Sequence, residues 1–213
     1  MGVTAPTPTP TPTPTPSIWF LDTASLLSMA VDPGITVAVL DEIGSDIVVI
    51  IDVVLQELDY RATVPSTASL AAAALASIQP HWKVMSTEGH VPLEDVQRAQ
   101  EDVADGRTIT DDAQHWAEST IIALGRTASA TSTTIKLLLS EDYEARRVAS
   151  TVPNMRGLSV YTVLHQRVHA QQMTAAAASA FATKLHAAGR GPEATEAEFA
   201  DPTGRPLGRV VRP

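Results

Sequence analysis

The chain has 213 residues, 44% of them apolar, and no cysteine, so it can bury the core of one domain but cannot build disulfides or thiolate metal sites. Its apolar runs, such as IVVII (47–51), are far shorter than the roughly 20 residues that span a bilayer, and the start MGVTAPTPTP lacks the basic and apolar regions of a signal peptide. A soluble cytoplasmic protein with no membrane attachment is expected. The net charge of −9 argues, taken whole, against an anionic partner, yet residues 1–105 hold 3 Lys+Arg against 14 Asp+Glu, and residues 106–213 hold 12 against 10. The later cations, among them Arg126, Lys136, Arg146, Arg147, Arg156 and Arg167, read either as solvated faces or as a phosphate-contacting rim.

In chain order, residues 1–16 are a Thr-Pro leader, stiff and extended because each proline fixes φ and lacks a donor. SIWFLD (17–22) predicts a short buried strand ending at an acid, and TASLLSMAV a helix. DIVVIIDVV (46–54) opens with a second strand, LQELDYRAT continues as a helix, SLAAAALASI (69–78) is helix and HWKVMS (81–86) a short strand. PLEDVQRAQEDVA (92–104) has proline at its first turn and acids early, both helix-start signals. TDDAQHWAESTIIALGRTA (110–128) is helical, in one piece or two, with Thr110 or Asp111 as N-cap. TIKLLLSED (134–142) is the clearest strand, YEARRVAST a helix, GLSVYT (157–162) a last strand, and VLHQRVHAQQMTAAAASAFATKLHAA (163–188) one long helix. The folded unit is expected over 17–186 and an irregular tail over 187–213, which is rich in Gly, Pro and charge. Strands alternating with helices imply an α/β domain with a mostly parallel sheet.

Ligands in such sheets bind beyond the carboxyl ends of the strands. Asp22 follows SIWFL, Glu57 falls one turn beyond VVIIDVV, Asp142 follows TIKLLLSE, and Glu118 begins the apolar helix STIIALGR. Each has a plainer explanation. Asp22 and Asp142 can be helix N-caps, and Glu57 and Glu118 can face solvent. All four recur, however, at one kind of structural place, and four converging carboxylates make the hard, oxygen-rich pocket that Mg²⁺ or Mn²⁺ requires.

The ordered segments WFLDTASLL, IIDVVLQELDYR, HWKVM, AESTIIALGR, LLLSEDYEARRVA and GLSVYTVL resemble the PIN-domain nucleases, which include the toxin ribonucleases of VapBC-type toxin–antitoxin pairs. The resemblance runs from about residue 19 to 168. It implies a three-layer α/β/α fold and a metal site of Asp22, Glu57, Glu118 and Asp142, with the Ser140 hydroxyl, and less strongly that of Thr23, orienting the acids. It further implies divalent-metal-dependent cleavage of RNA to 5′-phosphate and 3′-hydroxyl products, an antitoxin partner and a homodimer. Ala24 stands where the family usually has asparagine, and Ser140 where it has threonine. The alternative is a PIN-like module that binds RNA or a protein with little catalysis. An aspartyl phosphatase is disfavoured because DTASL lacks an Asp-x-Asp arrangement.

Arg146 and Arg147 are candidate phosphate contacts, at least one of them with helix-surface charge as the competing reading. Asp111 and Asp112 can extend the acidic pocket or cap a helix. His165 and His169, four apart, have zinc-binding spacing without a nearby third ligand. Trp19, Trp82 and Trp116 are expected in the core or an interface, and LAAAALA suits a dimer seam or an internal helix contact.

Overall fold

The computed structural model describes residues 16–110, 115–129 and 131–203. The Thr-Pro leader, except its last residue, and the acids Asp111 and Asp112 lie outside the described residues. Strands β1 (Ile18–Leu21), β2 (Ile47–Ile51), β3 (Lys83–Met85), β4 (Lys136–Leu139) and β5 (Met155–Leu158) form one sheet in the order β3-β2-β1-β4-β5, every pair parallel. Central strands covered on both faces need apolar side chains in both directions. Trp19, Phe20 and Leu21 of β1 and Val48 through Ile51 of β2 are accordingly all buried.

The chain steps from β1 out to β3, then returns to β4 on the other side of β1. Right-handed crossovers send the helices of the two runs to opposite faces. Helices α1 (Thr23–Met29), α2 (Pro33–Ile43), α3 (Asp52–Thr63) and α4 (Ala68–Ser77) pack among themselves and with α8 (Val160–His169), α9 (Ala175–Ala187) and α10 (Glu196–Ala200). The second group is α5 (Leu93–Ala104), α6 (Trp116–Ser129) and α7 (Tyr143–Ala149). The result is the expected α/β class with helices flanking a parallel sheet. Its strand order reverses between β1 and β4, the kind of place at which such sheets hold ligands beyond their carboxyl ends.

Several boundaries differ from the sequence expectation, each for a local reason. Strand β2 stops at Ile51, because the Asp52 carboxylate accepts from Val53 N at 3.0 Å and from Ser86 Oγ and Thr87 beyond β3, starting α3 early and holding the neighbouring loop. Glu57 therefore lies in the second turn of α3. Helix α2 had no predicted counterpart; Asp32 caps Gly34 N at 2.8 Å and Pro33 takes the first helical position. Strand β5 begins two residues before GLSVYT and ends at Leu158, where Ser159 caps α8 through Thr162 N. The long predicted helix is two, α8 and α9, separated at the left-handed Gln171 (φ 58°) and restarted by the Thr174 cap on Ala177 N.

The segment expected to be irregular after residue 186 contains α10, with a Thr195/Glu198 capping box and a fully buried Phe199. In LAAAALA, Ala71 and Ala74 are buried where α4 meets α1 and α3, the internal-contact option. Trp19 and Trp82 are buried, Trp116 packs against the core, and Trp19 Nε1 donates to Asp46 Oδ2 at 3.1 Å. Among the described residues no helix is long and apolar enough to cross a membrane.

Candidate active site

Asp22 directly follows β1, at the point where the strand order reverses. It caps α1, with Oδ1 accepting from Ser25 N at 2.6 Å, while Oδ2 is buried without a hydrogen-bond partner. Burial raises its pKa from 3.8 to about 6, against hydrogen bonds from Ser140 and Ser25 and with the Glu57 charge adding to the rise. Asp142, just past β4, also caps with Oδ1, accepting from Glu144 N at 2.7 Å and Ala145 N at 3.1 Å. Its Oδ2 faces His115 Nδ1 at 3.4 Å, an ion pair when the imidazole is protonated. The capping explanation and the site explanation thus coexist, since each aspartate engages one oxygen in the cap and turns the other elsewhere.

Glu57 projects from α3 and Glu118 from the first turn of α6, two helices that touch each other. Thr23 Oγ1 donates to Glu57 Oε2 at 2.5 Å. Burial holds the Glu118 pKa well above the usual carboxylate value, and the charges of Asp22, Glu57 and Asp142 push it higher. The four acids therefore occupy one electrostatic neighbourhood, drawn from four separate elements. Ser140 sits between two of them, its Oγ accepting from Asp142 N at 3.1 Å while its hydroxyl acts to lower the pKa of Asp22.

Among the described residues, no three His, Asp or Glu side chains stand at metal-ligand spacing. The residues nonetheless fit a divalent cation in the chemistry they offer: hard carboxylate oxygens, Asp22 Oδ2 without a partner, and mutual repulsion that a cation would relieve.

No protein-family model and no curated protein sequence matches the chain. A solved structure, the crystal structure of VapBC2 from Rickettsia felis bound to a DNA fragment from their promoter, is similar with a TM-score of 0.43 and 14% identity, covering 67% of this chain and 98% of that one.

The two arginines of α7 have other partners. Arg146 is buried and donates Nη1 to Ser140 O at 2.7 Å, a bond that braces the loop carrying Asp142. Arg147 pairs with Glu144 and Asp105 on the surface. His165 and His169 bond to each other through their Nε2 atoms at 3.1 Å, and His165 also meets Asp201 O.

Three residues near the site escaped the sequence reading. Glu141, between Ser140 and Asp142, is pushed by burial to a pKa of about 7 and accepts from Val160 N at 2.9 Å. The odd position in a strand-end triplet was its only sequence signal. His115 lies in the left-handed region (φ 59°) just before α6, inside a segment that reads as helix in one piece or two. Arg190 falls in the stretch whose Gly and Pro content reads as tail, yet its Nη2 reaches Ala24 O at 2.7 Å.

Proposed function

We propose that the chain is a divalent-metal-dependent endoribonuclease, the toxin of a toxin–antitoxin pair. The observation that carries the nuclease reading is the gathering of Asp22, Glu57, Glu118 and Asp142 at the carboxyl edge of the sheet. Asp22 and Glu118 have raised pKa values there, and one oxygen of Asp22 has no partner. A set of like charges with one member fully buried and three half-buried is unfavourable for the fold alone and accounts for itself best as a cation site.

Asp22, Glu57, Glu118 and Asp142 would hold Mg²⁺ or Mn²⁺, which supplies a water activated near neutral pH and neutralises the leaving oxygen of the phosphodiester. Thr23 orients Glu57, and Ser140 orients Asp22 and the backbone of Asp142. Arg146 fixes the carbonyl of Ser140 and so the direction in which the β4 end presents its acid. The toxin assignment rests on the ordered motifs that resemble the PIN-domain nucleases. An antitoxin and a homodimer belong to the same reading.

Ala24, where the family usually has an amide, favours a second reading as a binding module with little catalysis. Cleavage of labelled mixed-sequence RNA with Mg²⁺ or Mn²⁺ separates the two. Cutting that disappears with EDTA and with Asp22→Asn supports the nuclease. Folded, inhibitor-free protein that leaves the RNA intact with either metal supports the binding module. Growth arrest on expression, relieved by Asp22→Asn, tests the toxin assignment.

A further inference from the structure

Resting on the nuclease reading, we infer that Arg190 and Arg61 form a phosphate-binding edge of the acid pocket that grips the RNA backbone beside the acids. Arg190 is placed by the fold rather than left on a tail. It lies between Gly189, at φ 67°, and Gly191, at φ 157°, two backbone conformations that glycine adopts without strain. A Cβ on Gly191 would stand 2.6 Å from the Tyr161 ring, so the turn is pressed against α8, and Tyr161 Oη pins it by donating to Pro192 O at 2.7 Å. From this turn the guanidinium crosses to the loop after β1. Nη2 donates to Ala24 O, two residues from Asp22, and Nε is buried with no partner.

Arg61 comes from the other side. It stands four residues after Glu57 on α3, one turn along the same helix face, with an exposed side chain. It is the single Lys or Arg in the first 82 residues, and it falls beside a candidate acid. The two guanidinium groups are near enough for their charges to oppose one another, and Arg190 also feels the charges of Glu141 and Asp22. Among the described residues no carboxylate lies within ion-pair distance of either arginine; Arg98, Arg126, Arg147 and Arg167 are so paired, and Arg107 and Arg146 instead donate to backbone carbonyls.

Two like charges, one of them held partly buried with an unused N–H, are a poor arrangement for stability. They are a good one for a phosphodiester, whose two non-bridging oxygens match a guanidinium fork. The pocket as a whole is strongly acidic, and a polyanion approaching it needs cations at the rim as well as at the centre. Arg61 and Arg190 supply that rim on the side of Glu57 and Asp22.

The test uses the full chain in the non-cleaving Asp22→Asn background, with labelled mixed-sequence single-stranded RNA followed by fluorescence anisotropy over a salt series. Arg61→Ala and Arg190→Ala should each weaken binding roughly tenfold and reduce the slope of log K against log salt by about 0.7, the value for one phosphate contact on a single strand. Arg190→Lys should keep the slope while losing part of the affinity, because it retains the charge and gives up the fork. Arg156→Ala, which removes an exposed cation of β5, should leave the slope unchanged. Because Arg61 is exposed and makes no side-chain bond that its loss would break, its variant reads binding without a folding defect. Unchanged slopes in both alanine variants, with RNA still bound by the parent, would overturn the phosphate edge and leave the nuclease reading standing. No RNA binding by the parent, together with no cleavage by the native chain, would overturn both.

Discussion

Replacing Asp22 by asparagine should stabilise the metal-free protein at alkaline pH. Asp22 is completely buried, and its pKa rises from 3.8 to about 6 on folding, chiefly through burial. A carboxyl whose pKa is raised in the fold stabilises it fully below the unfolded value, and that contribution is lost as pH rises through about 6. A shift of about two pH units at 1.36 kcal/mol each makes the ionised form a burden of about 3 kcal/mol. Asparagine carries no charge, and its Oδ1 can still accept from Ser25 N. Its amide would stand where Asp22 Oδ2 has no partner, and an unmatched donor costs about 1–2 kcal/mol. The net gain at pH 8 in EDTA is therefore about 1–2 kcal/mol, or roughly 2–8 °C in Tm for a chain of this size. Thermal unfolding by circular dichroism across pH 4.5 to 8 reads it directly. The gain should vanish at pH 4.5, where the native carboxyl is protonated, and saturating Mn²⁺ should reverse the order by stabilising the native chain alone. A loss of stability in the variant that is the same at both pH values would refute the reasoning.

Other consequences are independent of that one. Thr23→Val removes the hydroxyl that donates to Glu57 at nearly constant volume; it should cost about 1 kcal/mol in urea denaturation and weaken Mn²⁺ binding measured by calorimetry. Arg146→Met, which leaves the Ser140 carbonyl without its donor, should cost about 1–3 kcal/mol, whereas Arg147→Ala, on the surface, should cost less than about 1 kcal/mol; equal effects would contradict the different roles given to them. Phe199→Ala empties a fully buried site and should cost about 3–5 kcal/mol, and a Tm within a degree of the parent would show that α10 is not part of the cooperative unit.

The parallel sheet was legible because its central strands are continuous apolar runs; Asp22 and Asp142 stand out as candidates because they close such runs, whereas Glu57 and Glu118 lie on helices and only their order among the motifs singles them out. What the sequence concealed lay mostly in polar side chains bonding to backbone. Asp52 looks like an interruption inside a strand pattern, but it starts a helix because Ser86 and Thr87, distant in sequence, supply its partners. Residues 32–43 drew no prediction, yet Asp32 caps and Pro33 opens α2 there. Thr174 looks ordinary at the head of an Ala-rich stretch, yet its cap on Ala177 N restarts the chain as α9 and divides the predicted helix in two. Composition misled most at the C-terminus. The glycines that suggest irregular chain there are the ones that turn Arg190 back toward Ala24 and bring Phe199 to the core. Arg146 shows the opposite error: a charge on a short helix suggests surface, but its guanidinium is folded inward onto Ser140 O.

A metal-dependent nuclease of this kind requires Asp22, Glu57, Glu118 and Asp142 to share a divalent cation. Mn²⁺ soaked into crystals of the native chain and located by anomalous scattering tests it most directly. The expected result is a peak among these four carboxylates that is absent from Asp22→Asn crystals treated in the same way. A native crystal with no peak there, or with Mn²⁺ only at surface acids remote from Asp22, would contradict it.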